Sequence, residues 1–357
     1  MDRLLKIREK LSQKGLDGVL ITDEKNQRYA TGFAFTDGAV LITRSRAFLF
    51  TDSRYIEAAE KTVSPDIELR MFGAGKPLPA LIKAELAECC IEKLGAEEMS
   101  LPHGRYLDLE RRLGLGLMPC QSIFYELRAA KDEDELCSMR AAQAIAERAL
   151  DDVLRIIRPG VTERDIAAEI TYRLLKHGGE GNSFDPIAVS GANSSMPHGV
   201  PSDKRVEAGD FVTMDFGCIY HGYCSDMTRT VAVGFATEEM QRVYHTVLSA
   251  QEAGIRAARA GVTGREVDGA ARAVITAAGY GDYFGHSFGH GVGVEIHEAP
   301  NASPMNEKPL PAGAVISAEP GIYLPGKLGV RIEDVILITE EGCRDITLAP
   351  KELLVLS

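Results

Sequence analysis

The 357-residue chain carries 52 acidic against 40 basic side chains, a formal net charge of −12. That balance disfavours nucleic acid and other polyanions as partners, because binding them needs a basic patch and none stands out. A hydrophobic content of 45% is enough for real cores, and the length suggests two domains on a prior of roughly 100–200 residues each. The seven cysteines (89, 90, 120, 137, 218, 224 and 343) are odd in number and form no CxxC pair. Neither a disulfide framework nor a thiolate zinc site is indicated, which fits a reducing cytoplasm.

MDRLLKIREKLSQKG opens the chain. Residues 2–14 read as an amphipathic helix closed by Gly15, with no apolar h-region of a signal peptide. No stretch of 18 apolar residues occurs, so no membrane span is expected. DGVLIT (17–22), GAVLITRSRAFLFTD (38–52) and IELRMF (67–72) read as strands, and 53–62, 78–95 and 104–113 as helices. This is an α/β domain, placed at 1–124, without a phosphate-loop signature. The second domain is placed at 125–357. It opens on a long helix over 131–157 with acids in its first turn, which suit the helix dipole; Pro159-Gly160 ends it. A helix over 162–177, a Gly/Ser/Asn-rich loop over 178–203 and a hairpin over 210–233 follow. Helices over 237–260 and 263–279 come next, then strand segments 312–324 and 329–339. A helix beside a hairpin occurs in both halves, a faint internal duplication.

The hairpin segment MDFGCIYHGYCSDMTRT (214–230) holds Asp215 and Asp226. A two-residue turn at His221-Gly222 makes 215 oppose 228, with 226 two residues along the same strand. The two carboxylates then leave one face as diagonal neighbours. Such a pair is destabilising unless a cation lies between them; the bland alternative is two solvated acids. Glu319, in AVISAEPGIY, and Glu333, in GVRIEDVILIT, each interrupt an apolar β-branched run. Those strands look buried, and a lone buried carboxylate is costly. Glu319 alone could pair with an arginine such as Arg331, but four acids together strain that explanation. Four carboxylates and an imidazole form a hard ligand set suited to two divalent ions such as Mn²⁺, Co²⁺ or Zn²⁺.

GHSFGHGVGVEIHE (285–298) supplies His286, His290 and His297. Its GHGVGV has the spacing that starts a dinucleotide loop, but no strand, helix and downstream ribose acid surround it. HEAPN (297–301) is not HExxH, and Cys218 and Cys224 lack a histidine at zinc spacing, so both read as packing residues. Glycines on both sides of His290 let the backbone pass close to a ligand.

In this order, MDFG…YCSDMTRT, GHGVGVEIHE, SAEPGIY and GVRIED resemble the pita-bread metallopeptidases of the aminopeptidase P and prolidase family. The gaps of 11, 64, 29 and 14 between Asp215, Asp226, His290, Glu319 and Glu333 match that family's ordered five-ligand signature. YATGF…AVLIT…LFTDSRYIEAA (29–59) is similar to its N-terminal domain. The resemblance implies an α/β N-terminal domain followed by an α+β pita-bread catalytic domain. It implies two divalent ions, most readily Mn²⁺, held by the five residues, with Asp226 and Glu333 bridging. Glu319 would also act as general base, and His198 (in MPHG) and His297 would face the substrate. Arg331 and Thr228 would steady the carboxylates, and His286 is left between packing and such support. The implied reaction is hydrolysis of the bond before proline, in Xaa-Pro dipeptides or, as an aminopeptidase, in longer peptides. The implied assembly is a homodimer. Creatinase-like C–N hydrolysis without metal predicts lost ligands, and a non-enzymatic binding protein would have no need of them; all five are present.

Overall fold

The computed structural model describes residues 3–357, so position 2 of the expected first helix lies outside the described residues. The chain divides into two compact units, 1–128 and 129–357. An end at 124 would cut the helix Gln121–Arg128, whose Ile123 and Phe124 are buried in the first unit's core.

The first unit is a six-stranded sheet in the order Glu68–Met71, Ala47–Thr51, Ala39–Thr43, Gly18–Ile21, Leu94–Ala96, Leu117–Pro119. Only Ala39–Thr43 runs against its neighbours. Helices Arg3–Lys14 and Gln121–Arg128 pack on one face, and Leu78–Glu88 and His103–Leu113 on the other. Both faces are covered, which is why the strands read as continuous apolar runs rather than alternating ones.

Two expectations here need correction. The run 38–52 folds back on itself around Arg44 and Ser45 into a hairpin. The helix expected over 78–95 ends at Glu88, and Leu94–Ala96 is a strand. The helix Glu24–Thr31 was not foreseen.

In the second unit, helices Glu133–Leu154 and Glu163–Lys176 cover one core, and Glu238–Ala257 and Gly264–Ala277 cover a second. The first helix pair packs on the antiparallel strands Ile187–Ser190, Phe211–Phe216 and Met227–Val233. The second pair packs on a sheet containing Gly289–Gly291, Val315–Ala318 and Asp334–Ile338. Each half is thus a helix pair on an antiparallel sheet, the form of the faint duplication in the sequence. Boxes at Asp132, Thr162 and Thr263, each with an acidic side chain three residues on, cap three of these helices, satisfying amides that would otherwise lack partners.

The expected hairpin forms in the expected register, with Asp215 opposite Thr228 and Tyr220 opposite Tyr223. His221 and Gly222 both take positive φ at its turn, as a two-residue hairpin turn requires. The two strand segments near the C-terminus are not continuous. Val315–Ala318 stops before Glu319 and resumes as Gly321–Leu324; Leu328–Arg331 stops before Glu333 and resumes as Asp334–Ile338. Asp226 likewise sits between Tyr223–Cys224 and Met227–Val233. Three of the five candidate ligands therefore occupy strand breaks, where a side chain is not committed to either face of a sheet.

Candidate metal centre

A cavity of about 450 Å³ in the second unit is lined by Asp215, Asp226, His290, Glu319 and Glu333. His198, His286, His297 and Arg331 line it as well. The strand pair Phe211–Phe216 and Met227–Val233 brings in the two aspartates, and the broken strands bring in the two glutamates. Ligand atoms of Asp226, His290 and Glu333 all lie within 4.8 Å of one another. Asp215 and Glu319 stand beside this trio with other partners. Asp215 Oδ2 accepts from Arg331 Nη2 at 2.6 Å. Glu319 Oε1 accepts from Ser317 Oγ at 3.0 Å and lies 3.2 Å from His290 Nε2.

So many buried acids leave a clear electrostatic signature. Burial raises Asp226 and Glu333 well above the usual carboxylate range, and the neighbouring carboxylates raise them further. Burial raises Asp215 too, against the pull of Arg331. Glu319 goes the other way. Burial alone would raise it, but the hydrogen bond and charge of His290 hold it at about 2. Burial opposes charge on His290, yet Glu319 and Asp226 lift its imidazole to about 9. A protonated His290 and Arg331 thus counterbalance the acids where no metal does.

The donor set fits a divalent cation. Asp215 Oδ1 and Glu333 Oε1 are buried without a hydrogen-bond partner, which is costly for an oxygen of this kind unless a cation meets it. His290 Nδ1–H donates to the Gly291 carbonyl at 3.2 Å. That bond occupies Nδ1 and turns Nε2 toward Asp226 and Glu319, the orientation of a ligating imidazole.

Arg331 organises the surroundings. Besides Asp215, its Nε donates to Thr228 Oγ1 (3.0 Å), and Thr228 Oγ1–H in turn donates to Glu333 Oε2 (2.7 Å). Its Nη1 reaches the Pro197 carbonyl (3.2 Å) and the Tyr323 hydroxyl (2.9 Å). The carboxylate partner of Arg331 is therefore Asp215, not Glu319, because the Leu328–Arg331 strand directs it toward the aspartate hairpin. The Tyr323 hydroxyl donates to His286 Nε2 at 2.9 Å, since His286 Nδ1–H is committed to the Ser287 carbonyl. His286 is thereby joined to Arg331 through one hydroxyl.

Tyr323 escaped the sequence reading. Its signal was present in Glu319-x-Gly321-x-Tyr323. A Cβ at residue 321 would lie 2.4 Å from the Tyr323 hydroxyl, so glycine makes room for the ring. His297 and His198 are exposed at the cavity, and the rings of His297 and His290 meet edge-on at 4.1 Å. Burial and the His290 charge lower His297 below the usual imidazole value, which leaves it a neutral hydrogen-bonding group. Cys218 and Cys224 are buried and do not line the cavity, as packing residues should.

Residues 3–130 match the creatinase/prolidase N-terminal domain, and residues 137–340 match metallopeptidase family M24. The Xaa-Pro dipeptidase of Pyrococcus horikoshii is 38% identical over 99% of both chains. The solved structure of an Xaa-Pro dipeptidase from Bacillus anthracis superposes with a TM-score of 0.95 at 41% identity, covering 100% of this chain and 99% of the other. That of an X-Pro aminopeptidase from Thermotoga maritima gives 0.92 at 37% identity, covering 97% and 100%. Matched by the two family models over nearly its whole length and similar along the full chain to these relatives, this protein belongs to metallopeptidase family M24, with a creatinase-type N-terminal domain and a pita-bread catalytic domain.

Proposed function

We propose that the protein is an Xaa-Pro dipeptidase that uses two divalent ions, Mn²⁺ foremost with Co²⁺ or Zn²⁺ as substitutes, held by Asp215, Asp226, His290, Glu319 and Glu333. The observation that carries this reading is the convergence of Asp226, His290 and Glu333 within 4.8 Å, in a cavity that His198 and His297 also line. Bound there, the ions would supply Lewis acidity, activating water and polarising the scissile carbonyl at neutral pH. Asp226 and Glu333 would be among the carboxylates that hold them. Because burial and the neighbouring carboxylates raise both pKa values, cations compete with protons at these two groups.

The chain's own groups do the rest. Glu319 accepts a proton from the attacking water and returns it to the departing proline nitrogen. His198 and His297 donate hydrogen bonds to the carbonyl oxygen as it gains charge. Arg331 and Thr228 hold Asp215 and Glu333 in place, and His286, through Tyr323, steadies Arg331. Because an Xaa-Pro bond has no N–H, ordinary peptide recognition through that group is lost and a specialised site is needed.

The similarity to the Thermotoga maritima X-Pro aminopeptidase favours a second reading, cleavage of the first residue from longer peptides. Turnover of Ala-Pro against Ala-Pro-Ala-Ala with Mn²⁺ present decides between them. A dipeptidase prefers the former strongly, comparable turnover of both identifies an aminopeptidase, and negligible turnover of either contradicts the assignment. The seven free cysteines support a cytoplasmic setting. A homodimer, in which the N-terminal unit forms the contact and borders the partner's cleft, is the assembly to test by sedimentation.

A further inference from the structure

His198 has an unusual demand placed on it. It is exposed at the cavity, and its ring makes no hydrogen bond to another described residue. Its position therefore comes from the backbone of the segment that carries it. That segment, GANSSMPHGVPS (191–202), is rich in glycine, serine and asparagine and contains one short 3₁₀ turn, Gly191–Ser195. Left to composition alone it would be mobile.

A single carboxylate closes it. Glu163, in the first turn of helix Glu163–Lys176, is fully buried and does not line the cavity. Its Oε1 accepts from Ser190 N (2.6 Å), Ser190 Oγ (3.0 Å) and Asn193 Nδ2 (3.1 Å). Its Oε2 accepts from Asn193 Nδ2 (3.2 Å), Ser202 N (3.1 Å) and Ser202 Oγ (2.7 Å). Ser190 and Ser202 are the two feet of the segment, and Asn193 is inside it. The backbone of the same helix turn adds two bonds, Glu163 N to the Lys204 carbonyl and Arg164 N to the Ser202 carbonyl. From the other side, Arg331 Nη1 holds the Pro197 carbonyl and Gly329 N donates to Ser194 Oγ. His198 thus rides on an arch with both feet tied to one carboxylate and its crown tied to Arg331.

We infer that Glu163 is a positioning residue for peptide hydrolysis, acting through the 190–202 arch to hold His198 against the substrate carbonyl. This rests on the proposed reaction and on the substrate-facing role of His198. Glutamine at 163 would turn one oxygen into a donor facing donors, so at least two of the six contacts are lost and the arch loosens while the helix remains.

The test is a double-mutant cycle on the Mn²⁺-loaded protein, with kcat/KM for Ala-Pro measured for wild type, Glu163→Gln, His198→Ala and the double variant. Glu163→Gln lowers kcat/KM about tenfold in the wild-type background and less than about twofold once His198 is gone, because coupled residues are non-additive. Equal losses in both backgrounds would mean a merely structural role and overturn the inference. Should Glu163→Gln fail to fold, Ser202→Ala removes one foot of the arch and takes its place in the cycle. Hydrogen exchange reads the brace without substrate. Faster exchange confined to peptides over 190–202, with strand Phe211–Phe216 unchanged, supports it, and unchanged exchange in the arch overturns it. A wild-type protein inactive on Ala-Pro would contradict the proposed reaction instead and leave hydrogen exchange to judge the brace.

Discussion

Replacing Glu333 with glutamine should stabilise the protein in chelator and destabilise it in Mn²⁺. Ligand atoms of Glu333 and Asp226 lie within 4.8 Å. At that distance and an effective dielectric of about 20, two unit charges repel by about 3.5 kcal/mol. Glutamine removes the repulsion but can still accept the bond from Thr228 Oγ1 that now reaches Glu333 Oε2. The pH dependence has a definite sign. Burial raises the folded-state pKa of Glu333 well above its ordinary 4.5. Its contribution to stability is therefore fully present below about pH 4.5 and is lost as pH rises through the folded value. Glutamine stays neutral throughout. In EDTA the two proteins should melt together near pH 5 and separate upward, with Glu333→Gln more stable by up to about 10 °C at pH 9, taking 2–4 °C per kcal/mol for a unit of this size. Excess Mn²⁺ should reverse the order, because a ligand present at about a thousand times its Kd adds roughly 4 kcal/mol to the wild type. Differential scanning fluorimetry across pH, with and without metal, reads both arms. A glutamine variant less stable than wild type in EDTA at every pH would refute the reasoning, since the carboxylate would then be stabilising without a cation.

His297→Ala should lower Ala-Pro turnover by about 10²-fold, as removal of an oxyanion donor does, while metal content by elemental analysis stays near that of wild type; a large loss of metal would exchange its role with that of His290. Arg229→Met should cost about 1–3 kcal/mol by urea unfolding, because it leaves buried carbonyls unpaired and takes one of two cations from buried Asp334, which keeps Lys351 and Gln251. Arg229 now pairs with Asp334 at 2.8 Å and holds the carbonyls of Thr228, Glu333, Ala349 and Pro350. Metal affinity, read by calorimetry, should weaken in parallel. Gly254→Ala falls in the last turn of the helix Glu238–Ala257, where alanine is ordinarily favoured by up to about 1 kcal/mol. Here a Cβ would lie 2.3 Å from the Phe288 ring, so the melting temperature should fall, with an overpacking cost of about 1–3 kcal/mol.

Local chemistry made the aspartate hairpin legible in advance. His221-Gly222 fixes the turn, the turn fixes the register, and the register sets Asp215 opposite Thr228. The glutamates were legible as anomalies, acids inside β-branched runs, but the strand breaks around them were not drawn. Pro320 was the available signal beside Glu319, since proline does not continue a central strand. The helix Glu24–Thr31 was hidden for a different reason. Its buried face includes Asn26 and Gln27, and Asn26 Nδ2 donates to distant Glu97. Hydrophobic periodicity cannot register a polar face that burial makes acceptable through a partner 71 residues away. The strand Leu94–Ala96 has three residues, too few for any period to declare itself. Arg331 was recognised as a support for the carboxylates, but the choice of Asp215 over Glu319 depends on which way its strand faces, a tertiary fact.

The most direct test is a Mn²⁺ titration of the chelated protein followed by Ala-Pro hydrolysis. Activity absent in chelator and rising to a plateau at two equivalents of Mn²⁺ per chain is the expected result. Full Ala-Pro hydrolysis in chelator, or none with any of Mn²⁺, Co²⁺ and Zn²⁺ at saturation, would contradict the assignment of these five residues to a two-metal Xaa-Pro peptidase.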